Sequence, residues 1–214
     1  MAITLRQERF RGPLTEYLIQ NALYHALMQK QHRLICPNVY LFDWESDFLS
    51  VTKTGFMHEY EIKISRSDFK NDAKKIDKHE KLTTGQIDVY KTRRNWNPDF
   101  KEVKMMPRLR PNCFWYVCPE NMIALDELPD HAGLMYVTQP NQYGNSYVTE
   151  VKRATKLHKE PITVTQTHKL ANAFYWRYWR YRNQMDAKDV EAMEHEKQPQ
   201  EQEQPKLPEF EEDY

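Results

Sequence analysis

The chain has 214 residues, 31 basic against 31 acidic side chains and three cysteines, a length that suits one domain with extensions. No apolar run approaches the ~18 residues of a membrane-spanning helix, and the N-terminus has no apolar signal region, so neither a membrane span nor secretion is expected. Cys36, Cys113 and Cys118 lack any zinc-binding spacing and read as small core residues of a reduced, cytoplasmic protein.

Residues 1–12 read as an irregular basic arm. Pro13 suits a helix start, and Leu14, Leu18, Ile19, Ala22, Leu23, Ala26 and Leu27 recur at helical spacing, which predicts an amphipathic helix over 14–31 with Glu16 in its first turn. Leu34 to Phe42 reads as a first core strand. Next come two runs in which Leu49, Val51, Tyr60, Ile62 and Ile64 alternate with Ser50, Thr52, Glu59, Glu61 and Lys63. Thr54-Gly55 lies between them, so a hairpin is predicted. Ser67 suits an N-cap for a helix over 68–81 carrying Lys70, Lys74, Lys75, Lys78 and Lys81. These lysines read either as a solvated face or as a phosphate-binding one.

Residues 83–110 form a basic insertion with Arg93, Arg94, Lys101, Lys104 and Arg110, interleaved with Tyr90 and Trp96. Such rings can stack bases while the cations meet phosphates, although a purely structural insertion would have the same composition. Strands are predicted over 114–118, 134–137 and 147–151, and His158 reads as a surface residue. A ring-dense helix is expected over 166–183, with Phe174, Tyr178 and Tyr181 on one core-facing side and Arg177, Arg180 and Arg182 among them. A dimer surface or a DNA-stacking face is the alternative for those rings. Residues 186–214 hold eleven acidic and three basic residues, a net of −8, and are too polar to fold alone. The rest of the chain therefore carries 28 basic against 20 acidic residues, a net of +8. A basic body with an acidic tail suits phosphate contacts. The tail is either a solubilising segment, a competitor for the chain's own basic face or a contact for a partner protein.

The hairpin holds the chemistry. Glu61 and Lys63 stand two apart on a strand and share a face, while Ile62 points the other way. Paired carboxylates can hold Mg²⁺ or Mn²⁺ through oxygen ligands, and a neighbouring ammonium can orient water or offset charge on a phosphate. An ordinary solvated Glu/Lys face is the competing reading. Geometry discriminates between them. A two-residue turn at Thr54-Gly55 would set Asp47 opposite Ile62, on the wrong face. The site therefore requires an irregularity between Ser46 and Phe56, either a bulge or a three-residue loop.

Asp47 … Glu61-Ile62-Lys63, followed by Ser65, Asp68-Phe69 and Asp72, resembles the PD-(D/E)XK nuclease superfamily. The string from Glu61 to Asp72 is especially similar to small bacterial and phage members related to MmcB-type DNA repair proteins. The stretches 111–117 and 129–134 are similar to the strand and turn that follow in that group. The resemblance implies an α/β fold with a restriction-endonuclease-like core, a mixed central β-sheet flanked by helices, over residues 1–185. It implies Asp47, Glu61 and Lys63 as catalytic residues and Asp47, Glu61 and Ile62 as the Mg²⁺ (or Mn²⁺) set, with Glu16, Glu45 and Ser65 as accessory candidates. Lys70, Lys74, Lys78, Arg93, Arg94, Lys101 and Lys104 are the candidate DNA contacts. The function expected is metal-dependent cleavage of DNA in repair, recombination or phage DNA metabolism. A nuclease-fold module that binds DNA or protein without cutting is the alternative, and a homo-oligomer is compatible with either.

Overall fold

The computed structural model describes residues 12–72, 74–89, 102–105, 110–141 and 143–197. Its centre is a six-stranded sheet in the order β1-β2-β3-β6-β7-β8. The strands are β1 (Leu34–Tyr40), β2 (Glu45–Val51), β3 (Met57–Ile62), β6 (Cys113–Pro119), β7 (Ala132–Val137) and β8 (Val148–Lys152). β1, β2 and β3 pair antiparallel, β3, β6 and β7 pair parallel, and β8 returns antiparallel, so the sheet is mixed. β4 (Gln86–Val89) and β5 (Glu102–Met105) form a separate two-stranded ribbon inside the basic insertion.

Helices cover both faces. Helix α1 (Glu16–Gln29) starts where the Thr15 hydroxyl accepts the Leu18 N–H, the side-chain cap that satisfies one of a helix's orphan donors. Its buried Ile19, Ala22, Leu23 and Leu27 pack with Phe48, Tyr60, Ile62, Trp115, Val117 and Met135 from one side of the sheet. The opposite side sends Phe114, Tyr116, Cys118 and Leu134 against Phe69 of α2 (Arg66–Asp72) and Leu82 of α3 (Ile76–Thr84). Buried central strands read as near-continuous apolar runs, and the run Phe114–Cys118 obeys that rule. On β3 it fails: the face toward α2 and α3 carries Glu59 and Glu61, followed by Lys63, all buried.

Three sequence expectations need correction. The helix predicted over 68–81 is two helices, broken before Ile76, and the break lets Lys75 turn back onto Asp72. Helix α4 (Val164–Lys197) continues well into the segment expected to be an unfolded tail from 186. Phe174, Tyr178 and Tyr181, expected in the core, are exposed, in company with Tyr175, Trp176 and Trp179. Periodicity identified the shared face, but nothing in that period says that a partner covers it. The sheet and its helices up to Ala171 make one compact unit, and the chain from Asn172 makes a second. No described helix is long and apolar enough to cross a membrane.

Candidate active site

The β2–β3 connection places the first acid. Thr52 and Phe56 pair across it, Thr52 N–H donating to Phe56 O at 2.9 Å. The loop is therefore the three residues Lys53-Thr54-Gly55. The Thr52 hydroxyl accepts the Phe56 N–H at 3.0 Å, and Gly55 takes φ +82°. A left-handed glycine at the end of a three-residue hairpin loop closes it without splaying the strands. The register that follows pairs Val51 with Met57, Leu49 with Glu59 and Phe48 with Tyr60. One step further, Asp47 falls opposite Glu61, on the face the chemistry requires. Its Oδ2 accepts the Ile62 N–H at 2.8 Å.

Around Glu61 the chain builds a charge network. Lys63 Nζ donates to Glu61 Oε1 at 2.9 Å and lies 3.4 Å from Asp72 and 3.6 Å from Asp68. From the break between α2 and α3, Lys75 Nζ reaches Glu61 Oε1 at 3.2 Å and Asp72 at 2.8 Å. Lys78 Nζ bridges Glu61 Oε2 at 2.6 Å and Glu59 Oε1 at 2.9 Å. Trp44 Nε1 also donates to Glu59, at 2.8 Å. Asp72 Oδ2 accepts the Tyr116 hydroxyl at 2.6 Å and lies 3.4 Å from His79 Nε2. Three carboxylates and two lysines are thus buried together, a placement tolerated only because each charge has partners.

The charges tune each other. Burial and the adjacent Glu61 carboxylate raise the Asp47 pKa to about 7. Burial pushes Asp72 the same way, but hydrogen bonds from His79, Lys75 and Tyr116 prevail and hold it well below the usual carboxylate range. Burial would lower Lys63 and Lys78. Glu61 raises Lys63 instead, and Glu59 with Glu61 raises Lys78, so both stay charged. Glu59 is pushed up by burial, and its Oε2 is buried without a hydrogen-bond partner.

A cleft of about 760 Å³ opens over this network, lined by Asp47, Glu61, Trp44, Lys74, Lys75 and Lys81 among others. It suits a polyanion, because exposed ammoniums surround the two carboxylates. The donor set also fits a hard divalent ion: two adjacent carboxylates, one carrying a proton it gives up near neutrality, with main-chain oxygen and water left to complete the shell. Among the described residues no group of three or more His, Cys, Asp or Glu forms a ready-made metal cluster.

The other candidates divide. Ile62 sends its side chain into the α1 core and meets the site through its main chain. Glu16 is exposed on α1, and Gln20 links it to Asp47 by donating to the Glu16 carboxylate at 2.9 Å and the Asp47 main-chain oxygen at 3.2 Å. Glu45 lines the cleft. Ser65 does not reach the carboxylates. Its hydroxyl accepts the Asp68 N–H at 3.2 Å and so caps α2, the role expected of Ser67. Lys74 lines the cleft and Lys70 is exposed on α2, but Lys78 is buried on Glu59 and Glu61 and cannot meet DNA as expected. Lys104 sits in β5 opposite Ile87. Arg93, Arg94 and Lys101 lie outside the described residues, as do Tyr90 and Trp96. Arg110, read as part of the basic loop, is buried and donates to the Leu82 and Leu157 carbonyls. His158 is half-buried, bonded to the Arg110 carbonyl, rather than a bare surface residue.

Sequence reasoning missed Glu59, Trp44, Tyr116, His79 and the inward turn of Lys75 and Lys78. Glu59, Glu61 and Lys63 share a strand face by simple alternation, so Glu59 was within reach. The lysines were not, because the break between the two helices that aims them has no clear sequence mark.

No family model matches this chain, and no curated protein does. A solved structure of a protein of unknown function from Silicibacter pomeroyi is similar, with 14% sequence identity, coverage of 78% of this chain and 90% of that chain, and a TM-score of 0.50. At that identity the likeness concerns the fold, an α/β arrangement with a mixed six-stranded sheet.

Proposed function

We propose that this protein is a metal-dependent nuclease with a restriction-endonuclease-like core of the PD-(D/E)XK kind, hydrolysing DNA phosphodiester bonds in the cytoplasm during repair, recombination or phage DNA metabolism. The observation that carries this reading is the meeting of Asp47 and Glu61 across the β2–β3 register, with Lys63 bonded to Glu61, beneath a lysine-lined cleft. Asp47 and Glu61 would hold Mg²⁺ or Mn²⁺ with the Ile62 main chain beside them. The ion would supply polarisation of a phosphate oxygen and a more acidic bound water. Lys63, held between Glu61 and Asp72, is fixed in position and kept charged. Lys74, Lys75 and Lys81 line the approach for the DNA backbone, and Arg93, Arg94, Lys101 and Lys104 extend the candidate contacts.

A second reading has its own observation. Lys63, Lys75 and Lys78 already neutralise Glu61, as they would in a structural ion network of a module that binds DNA or protein without cutting. Incubating purified protein with plasmid and single-stranded DNA, in Mg²⁺ or in EDTA, separates the two. Cleavage in Mg²⁺ that EDTA and Glu61→Gln both abolish supports the nuclease. DNA retention without cleavage under any metal supports the binding module.

A further inference from the structure

A second cavity lies on the other face of the sheet, at the opposite end of β3 from Lys63. It has a volume of about 510 Å³, within the usual range for small-ligand pockets. Its rim carries Lys30, Arg153 and Lys156, with Glu150 as the one carboxylate among the lining residues. Glu150 lies 3.8 Å from Lys30, which leaves Arg153 and Lys156 as the surplus. The lining thus has a net charge of +2, counting three cations against one carboxylate. Lys156 Nζ sits 3.5 Å from the centroid of the Phe56 ring, a cation–π contact that holds it at the rim.

The wall is aromatic. His58 and Trp115 lie near-parallel at 6.2 Å, and Tyr60 lies near-parallel to both. Trp115 Nε1 donates to His58 Nδ1 at 3.1 Å. Indole N–H is only a donor, so His58 must accept there and carry its own proton on Nε2. The lining therefore includes a neutral imidazole in its wall, with a guanidinium and two ammoniums at its rim. The positive field is felt inside. Burial lowers His58 to a pKa of about 4, and His32, Lys156 and Lys30 push the same way. Burial raises the Cys113 thiol, while Lys156 and Arg153 pull against it.

We propose that this cavity is a binding site for a phosphate monoester, separate from the carboxylate cleft. The guanidinium of Arg153 matches a phosphate's paired oxygens, and the surplus of +2 balances a dianion that carries about −1.5 to −2 at neutral pH. The phosphate belongs either to a free nucleotide or to the 5′ end of a DNA strand. The site does not depend on the nuclease reading.

Calorimetry on the full chain tests it with thymidine 5′-monophosphate, thymidine and a short single strand with and without a 5′-phosphate, while histidine-ring NMR locates binding at His58 and His32. The monophosphate binds and thymidine does not. Arg153→Ala combined with Lys156→Ala, both at exposed positions, weakens it by roughly tenfold or more. Lys74→Ala, at an exposed position in the other cleft, leaves it unchanged. A strand that binds tighter with its 5′-phosphate than without it, and loses that gain in the double variant, identifies the DNA end as the source; a strand indifferent to its 5′-phosphate identifies the free nucleotide. Equal binding of thymidine and its monophosphate, no binding of any probe, or unchanged affinity in the double variant overturns the proposal.

Discussion

Asp47 is the residue whose ionisation matters most. Its carboxyl has a pKa of about 3.9 in the unfolded chain, raised to about 7 in the folded one by burial and Glu61. Between those values the unfolded chain is ionised while the folded site still holds its proton. Asp47 therefore costs stability as pH rises through that window. Asp47→Asn should flatten the fall in Tm across it, which thermal denaturation at several pH values would show. Metal binding must displace the same proton, so Mn²⁺ affinity should climb as pH rises through about 7. Calorimetry finding a flat profile there would remove Asp47 from the metal set. Glu61 and Lys63 are each 3% exposed, so they do not form an ordinary solvated face. In place they are part of a buried ion network, so Glu61→Gln and Lys63→Met should lose both cleavage and stability. Breaking a buried pair costs about 3–5 kcal/mol, and urea denaturation would reveal a loss of that order.

At the scale of elements, the hairpin loop sets the site. Gly55 adopts φ +82°, and a Cβ there would lie 3.1 Å from Pro161 Cβ. Gly55→Ala should cost about 1–2 kcal/mol through the left-handed backbone alone, read as a lower midpoint in urea with an unchanged slope. Much of this level was legible: α1, the hairpin, β6, β7 and β8 follow from apolar period and turn residues. The loop length was legible only as a requirement, since the chemistry demanded that Asp47 reach the face of Glu61 and a three-residue loop was one of two ways to achieve it. The break between α2 and α3 was not legible. Lys74-Lys75-Ile76 has no Pro or Gly, and tertiary ion pairing from Lys75 to Asp72 and Glu61 decides where the helix stops.

For the whole molecule, charge asymmetry is the main quantity. A body of +8 should bind DNA with an affinity that falls steeply with salt, because each phosphate contact releases counterions. Neutralising Lys74 and Lys81 at the cleft should flatten that slope, and an unchanged slope would move the DNA to the 83–110 insertion. Residues 198–214 hold six acidic residues and one lysine, a net of −5. Because α4 continues to Lys197, removing only 198–214 leaves the described helix whole. That truncation should tighten DNA binding at low salt and have less effect at physiological salt, where screening acts over about 8 Å. Equal affinities at low salt would leave the tail a solubilising role. The exposed rings of α4 show the limit of sequence reading at this scale: helical period assigns a face, and only the assembled chain shows whether anything covers it.

The lysines over Glu61 have one more consequence. Many metal sites are held open in the empty protein by carboxylate repulsion, and such proteins loosen when stripped. Here Lys63, Lys75 and Lys78 all pair with Glu61, one of the two acids of the proposed metal set. On the proposed nuclease reading, folding of the site would therefore not wait for the ion. On that reading, exhaustive chelation should stop cleavage and leave the protein folded, with its melting temperature lower only by what the bound ion itself adds.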